Sequence, residues 1–313
     1  MTDFDDHTSI AYLSDADLAD YLEAIGDVEG ARALRDPGTR AQSGGIFGGA
    51  YRHAAHVYGF IEEGDPGTDK VPIVPASSVP EDKSLVGTRI KVTLDAFRIE
   101  SYPGLGMHTV LFDFQGRHQA GDEKQDLQYA SVLTARDGDN AAVNGVPIFT
   151  GLGVPADGLA FKAKTISIGS DKDEAILRVL KSAAFKEGLQ LMGAVQPALP
   201  QLVGLAGGII DNLLNRFRNK PVQVFDLGLD FSRSRTSARL RKGSYVVAQV
   251  PDSNLWNWSD WFYDPSGMNI VDQNGVVAPV NTIIFAISDS AGTKARSGTR
   301  SEGAEALEAS RAS

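Results

Sequence analysis

The three tryptophans of the chain, Trp256, Trp258 and Trp261, stand almost together, with Phe262 and Tyr263 beside them. Their stretch is otherwise polar, carrying Asp252, Asn254, Asn257, Asp260 and Asp264. Aromatic rings on a polar loop suit sugar stacking, a membrane interface or a protein hot spot. Trp256, Trp258, Trp261 and Tyr263 are therefore candidate ligand-binding residues. The alternative is a structural plug over one end of the fold.

A second constellation is basic. Arg233, Arg235, Arg239, Arg241 and Lys242 follow one another with no acid between Ser232 and Lys242. On one extended strand the four arginines would share a face. They would then bind an anion or an acidic lipid head group, or receive the acidic N-terminal segment. A turn near Thr236-Ser237 would break that register, and a charged edge that resists aggregation is the plainer reading.

Carboxylates form a third set, in Asp137-Gly138-Asp139-Asn140, Asp157-Gly158 and Asp171/Asp173/Glu174. Gathered at one end of a β fold, Asp137, Asp139 and Asp157 would offer oxygen ligands to Ca²⁺. No EF-hand pattern is present, and Asp-Gly pairs also serve as ordinary turns. His53 and His56 would share a metal if they lay three apart on a helix. There is no Walker A loop, complete GxGxxG, GxSxG elbow or HExxH. No pair of carboxylates is marked out for acid–base work, so the reading leans away from an enzyme.

Composition narrows the classes. The 313 residues carry a net charge of −10 and no cysteine. The acidic balance argues against generic nucleic-acid binding, which needs a basic surface. Zero cysteine removes disulfides, thiolate chemistry and Cys-type zinc sites. No other cofactor is marked out. MTDFDDHTSI lacks an apolar signal core, so the cytosol is the default expectation, with signal-less secretion as an alternative.

Three regions must position these residues. Residues 1–61 read as an acidic helical region: Ser14 caps a helix from Asp15, a second helix runs from about Val28 to Leu34, and Ala50–Ile61 reads as a third. Residues 62–87 read as a linker, since Val71-Pro72, Val74-Pro75 and Val79-Pro80 favour extended chain. From Thr88, alternation takes over. Ile90, Val92 and Leu94 oppose Lys91 and Thr93, and Val110, Phe112 and Phe114 oppose Leu111, Asp113 and Gln115. Phe161, Ala163 and Thr165 oppose Lys162, Lys164 and Ile166. Later strands are expected in Val222–Phe231, Ala238–Val250 and Val280–Ser288. The fold class is mainly β (α+β): an antiparallel β-sandwich of about eight strands over 88–290. Residues 291–313 read as a disordered tail.

An αα-hairpin over 171–220 interrupts the strands. Its centre, residues 188–210, carries no ionisable side chain. Two prolines and several glycines argue against a membrane span. The hairpin is expected to pack on an open face of the sandwich, with Leu205 and Ile209 toward the sheet. Release into a membrane and docking on a protein partner are the other readings. A sandwich with acidic loops is similar to calcium- or lipid-binding C2-type modules, from which the inserted hairpin departs; no residue role follows from that likeness. The functional expectation is a non-enzymatic interaction protein with a protein partner, its apolar hairpin masked at rest. A carbohydrate- or lipid-binding sandwich using the tryptophans is the second expectation, and a hydrolase with an unmarked carboxylate site the third.

Overall fold

The structure is a computed structural model that describes residues 8–36, 49–64, 69–120, 123–169, 180, 188–191, 199–216, 218–232 and 234–290. It is mainly β, with three sheets and three α-helices among the described residues. Helices α1 (Asp15–Ala24) and α2 (Val28–Arg35) come first. Ser14 caps α1 as its sequence predicts, its Oγ accepting from the Asp17 N–H at 3.1 Å.

The expected helix over Ala50–Ile61 is instead a short 3-10 turn at Ala50–Arg52 followed by strand β1 (Ala55–Ile61). The β-branched and aromatic residues Val57, Tyr58, Phe60 and Ile61 favour a strand. β1 pairs antiparallel with β13 (Gly243–Val250) along its whole length. Burial of both faces at its C-terminal end removed the alternation that would have marked it.

The span read as a linker contains strands β2 (Val71–Pro72) and β3 (Val74–Pro75), and Ile73, Ala76, Val79 and Leu85 are buried. Both are edge strands, where proline costs no ladder hydrogen bond. The remaining strands are β4 (Arg89–Ile99), β5 (Met107–Ala120), β6 (Glu123–Arg136), β7 (Asp139–Asn140), β8 (Val146–Gly153) and β9 (Leu159–Ile168). Then come β10 (Leu189–Gln190), helix α3 (Leu199–Leu214), β11 (Asn219–Asp230), β12 (Ala238–Arg239) and β13. The chain closes with β14 (Phe262–Asp264), β15 (Asn269–Val271) and β16 (Asn281–Asp289). The expectation was about eight strands; the excess comes mostly from two- and three-residue pieces.

An eight-stranded sheet runs β10-β8-β4-β16-β13-β1-β3, with β7 added to β4, and a five-stranded sheet runs β12-β11-β9-β5-β6. Their facing sides share one core, in which Phe114 meets Phe285 at 5.5 Å and Phe97 meets Phe112 at 6.2 Å between ring centroids. Leu18, Tyr21 and Leu22 of α1 join the same core. The Tyr21 hydroxyl reaches the Arg218 carbonyl at 3.4 Å.

Each sheet is also covered outside. The third sheet, β15-β14-β2, and the tryptophan loop cover the large sheet. Helix α3 covers the small one. α3 falls where the second arm of the expected hairpin was placed. Of the stretch before it, Leu180 and residues 188–191 are described, and Leu189–Gln190 form strand β10 where helix was expected; the acids of 171–174 and the tail lie outside the described residues. No helix among the described residues is long and apolar enough to cross a membrane.

Candidate functional site

The outer face of the small sheet changes character along its strands. Alternation sends Leu111, Asp113, Gln115 and Arg117 of β5 outward, beside Lys162, Lys164 and Ile166 of β9. At one end the face is apolar. Leu111, Ala130 and Ile166 form a cluster with Ala206, Ile209, Ile210 and Leu213 of α3. Those helix positions recur at three and four residues, one stripe of an amphipathic helix. Leu205, expected to face the sheet, is 46% exposed, because it falls beside that stripe.

At the border of the apolar patch lie two buried charges. Asp113 is fully buried and Lys164, its partner across the β5–β9 ladder, nearly so. Gln128 Nε2 donates to one carboxylate oxygen of Asp113 at 3.0 Å and Gln115 Nε2 to the other at 3.2 Å. Burial pushes the Asp113 carboxyl up to about 6; the two amides and Lys164 oppose this, and Asp211 on α3 adds to it. The helix comes close here because Gly207 has no side chain: a Cβ at that position would stand 3.0 Å from Gln128 Oε1.

Beyond this border the face opens. A cavity of about 270 Å³ lies between Val203 of α3 and the strand residues Gln115, Gln128, Arg117 and Lys162. A second, of about 320 Å³, shares Arg117 and Ala160 with it and continues to Asp157, Asp230 and Ser237. Neighbouring acids answer the cations: Arg117 pairs with Asp126 at 2.9 Å and Lys162 with Asp226 at 3.2 Å. The sequence places Asp113 and Lys164 on outward strand faces but does not mark them as a pair. The signal was a carboxylate and a lysine at strand centres on a face that also carries Leu111 and Ile166.

The tryptophan loop sits on the other side of the molecule. Trp258 is buried, with Ile73, Val246, Ala248 and Ile284 in its cluster. Gly59 makes room for the ring; a Cβ there would stand 3.0 Å from Trp258 and 2.6 Å from Ile73. Trp256 and Trp261 stack at 4.9 Å with planes 7° apart, so each spends one face on the other. Tyr263 lies in β14 against Ile270 and Val71. Burial, with Asp95 and Asp264 nearby, holds its hydroxyl above the usual range. The arrangement covers the large sheet.

The arginines do not form one face. Arg233 lies outside the described residues, and only Arg239 belongs to a strand, the two-residue β12. Arg235 is exposed. Arg239 is buried, donates to the Ser234 carbonyl and stands 4.0 Å from Asp230. Arg241 pairs with Glu62 at 3.1 Å and lies over the Phe60 ring. Asp230, Ser232 and Ser234 instead bond within the turn that precedes β12. The described part of the acidic N-terminal segment packs elsewhere, through the α1 core contacts and an Arg52–Asp15 pair at 2.9 Å.

Nor do the proposed calcium ligands meet. Asp137 follows Arg136, which opposes Met107 at the start of β5. Asp157 precedes Leu159, and β9 runs antiparallel to β5 with Phe161 opposite Gly116, so Asp157 belongs to the opposite end. Asp137 instead accepts from the Tyr102 N–H at 2.9 Å and lies 2.9 Å from His108 Nε2. Asp139 is taken into β7. His53 and His56 lie on extended chain, not a helix; His53 Nδ1 is 3.1 Å from the Gln249 carbonyl, while burial beside Phe225 depresses His56 to about 4. Among the described residues no group of three or more His, Asp or Glu side chains is placed to hold a metal. No protein family, curated protein or solved structure matches the chain.

Proposed function

We propose that this chain is a non-enzymatic interaction protein whose α3 is a masked recognition helix. On this reading the fold is a β-sandwich carrying an αα-hairpin, with α3 as its second arm. The observation that carries the proposal is the nature of the seat. The stripe Ala206, Ile209, Ile210 and Leu213 rests on an apolar patch bordered by buried Asp113 and Lys164. Buried ionisable groups repay their desolvation poorly, so such a seat holds a helix less firmly than an all-apolar one. The stripe has the anchor spacing by which amphipathic helices enter apolar grooves of partner proteins. At 16 residues α3 is about 24 Å long, short of a roughly 30 Å hydrocarbon layer, which favours a protein partner over a spanning role.

The test removes the seat and spares the helix. Ala130→Glu places a charge on the sheet beneath α3 and leaves the stripe intact. The variant is expected to keep its near-UV signal from the aromatic core and to gain self-association or flotation with phospholipid vesicles. Self-association alone supports a protein groove as the target, and flotation supports a membrane surface. Loss of the aromatic signal with neither gain would overturn the proposal, because α3 would then be an inseparable part of the core.

A further inference from the structure

The seat of α3 contains a buried titratable group, Asp113. Asp113 lies in the middle of β5, fully buried, with acceptor oxygens held by Gln115 of its own strand and Gln128 of β6. The charged groups around it come from every packed element. Lys164 stands opposite on β9, Lys162 is one outward position further along and bound to Asp226 of β11, and Asp211 looks on from α3. Gln128 is the hinge of the arrangement, since it holds Asp113 with its amide nitrogen and lies against Gly207 of α3 with its oxygen. With α3 in place, Asp113 is shut off from water.

We infer that Asp113 gates the docking of α3: the helix is clamped while Asp113 carries a proton and is freed more readily once the carboxylate ionises. The direction follows from linkage. Beneath the helix the carboxyl holds its proton up to about pH 6, against the ordinary 3.8 when exposed. Docking therefore takes up a proton between those values. The stabilisation is complete below the lower value and is lost as pH rises through the upper one. Acid clamps α3, and neutral solution loosens it. Asp211 works in the same direction, because its negative charge opposes a second one below it. The inference rests on the masked-helix reading and names its control.

Hydrogen exchange of the full chain tests it directly, with rates corrected for the intrinsic effect of pH. The opening equilibrium of the α3 amides, residues 203–214, is expected to rise about tenfold between pH 5 and pH 7.5, as linkage with these two pKa values requires. Amides of β13, in the large sheet, serve as the internal reference. Asp113→Asn, which is neutral at every pH, should flatten the profile and keep α3 protected at pH 7.5. If that variant does not fold, the wild-type profile decides alone. A pH-independent α3, or an Asn variant that keeps the full dependence, would overturn the inference and leave the Ala130→Glu result untouched. Graded opening would uphold it even if Ala130→Glu showed that the exposed stripe binds nothing.

Discussion

Gly59 and Trp258 fit closely together on the outer side of the large sheet. Gly59 lies in β1, and an added methyl would press on Ile73 and on the Trp258 ring at once. Overpacking of this kind costs about 1–3 kcal/mol. Gly59→Ala is therefore expected to lower the unfolding free energy by that amount, and Trp258→Ala by about 3–5 kcal/mol, both read from urea titrations. The double variant should cost less than the sum, since the methyl enters space the ring has left. Additive losses would show that Trp258 does not pack on β1. Neither partner announces the other in the sequence. From the sequence, Trp258 reads as a plug more readily than as a sugar platform, but what it plugs is not visible until β1 is known to run beneath it. The same holds for Asp113 and Lys164. Alternation put both on an outward face, but their pairing needs the β5–β9 register and their burial needs a helix from a distant part of the chain.

The elements divide by how much their neighbours decide. Strands β4, β5 and β9 were legible because one face is apolar and the other mixed, which leaves a period of two. Helix α1 was legible from Ser14 and its first-turn acids. β1 was not, because its far end is buried on both faces, and β2 and β3 are too short to carry a period. Helix α3 was legible as a helix with Ile209 and Leu213 on its buried stripe, but Leu205 falls just off it, since hydrophobicity alone cannot separate Leu205 from Ala206 when glycines surround both. The observed rotation sets an expectation. Ile210→Ala should cost about 2–5 kcal/mol, as for a large core side chain. Leu205→Ala should change stability by no more than about 0.5 kcal/mol, as at ordinary surface positions. Equal losses in a denaturant series would mean that α3 sits in a different rotation.

For the whole molecule, the described N-terminal helices, the facing sides of the eight- and five-stranded sheets, and Ala76, Val79 and Leu85 share a continuous interior. Leu18, Tyr21 and Leu22 lie in the same cluster as Phe112 and Phe285. Leu18→Ala is expected to lower the midpoint of one transition seen alike by far-UV signal and tryptophan fluorescence. Two separated transitions would show that residues 8–36 fold apart. Helix α3 touches this interior through Val203, buries its main stripe on the outer face of the small sheet, and is held at both ends. β10 pairs with β8 of the large sheet, the Arg89 guanidinium donates to the Leu191 carbonyl at 2.8 Å, and β11 begins at Asn219 in the small sheet. A detached α3 is thus a leashed loop and never a free tail. It remains its own seat's competitor at an effective concentration of about millimolar order, as short tethers give. If α3 is the masked recognition helix proposed above, a partner would have to outbid that resident ligand, and apparent affinity would be set by how long the leash stays slack as much as by the groove that receives the helix.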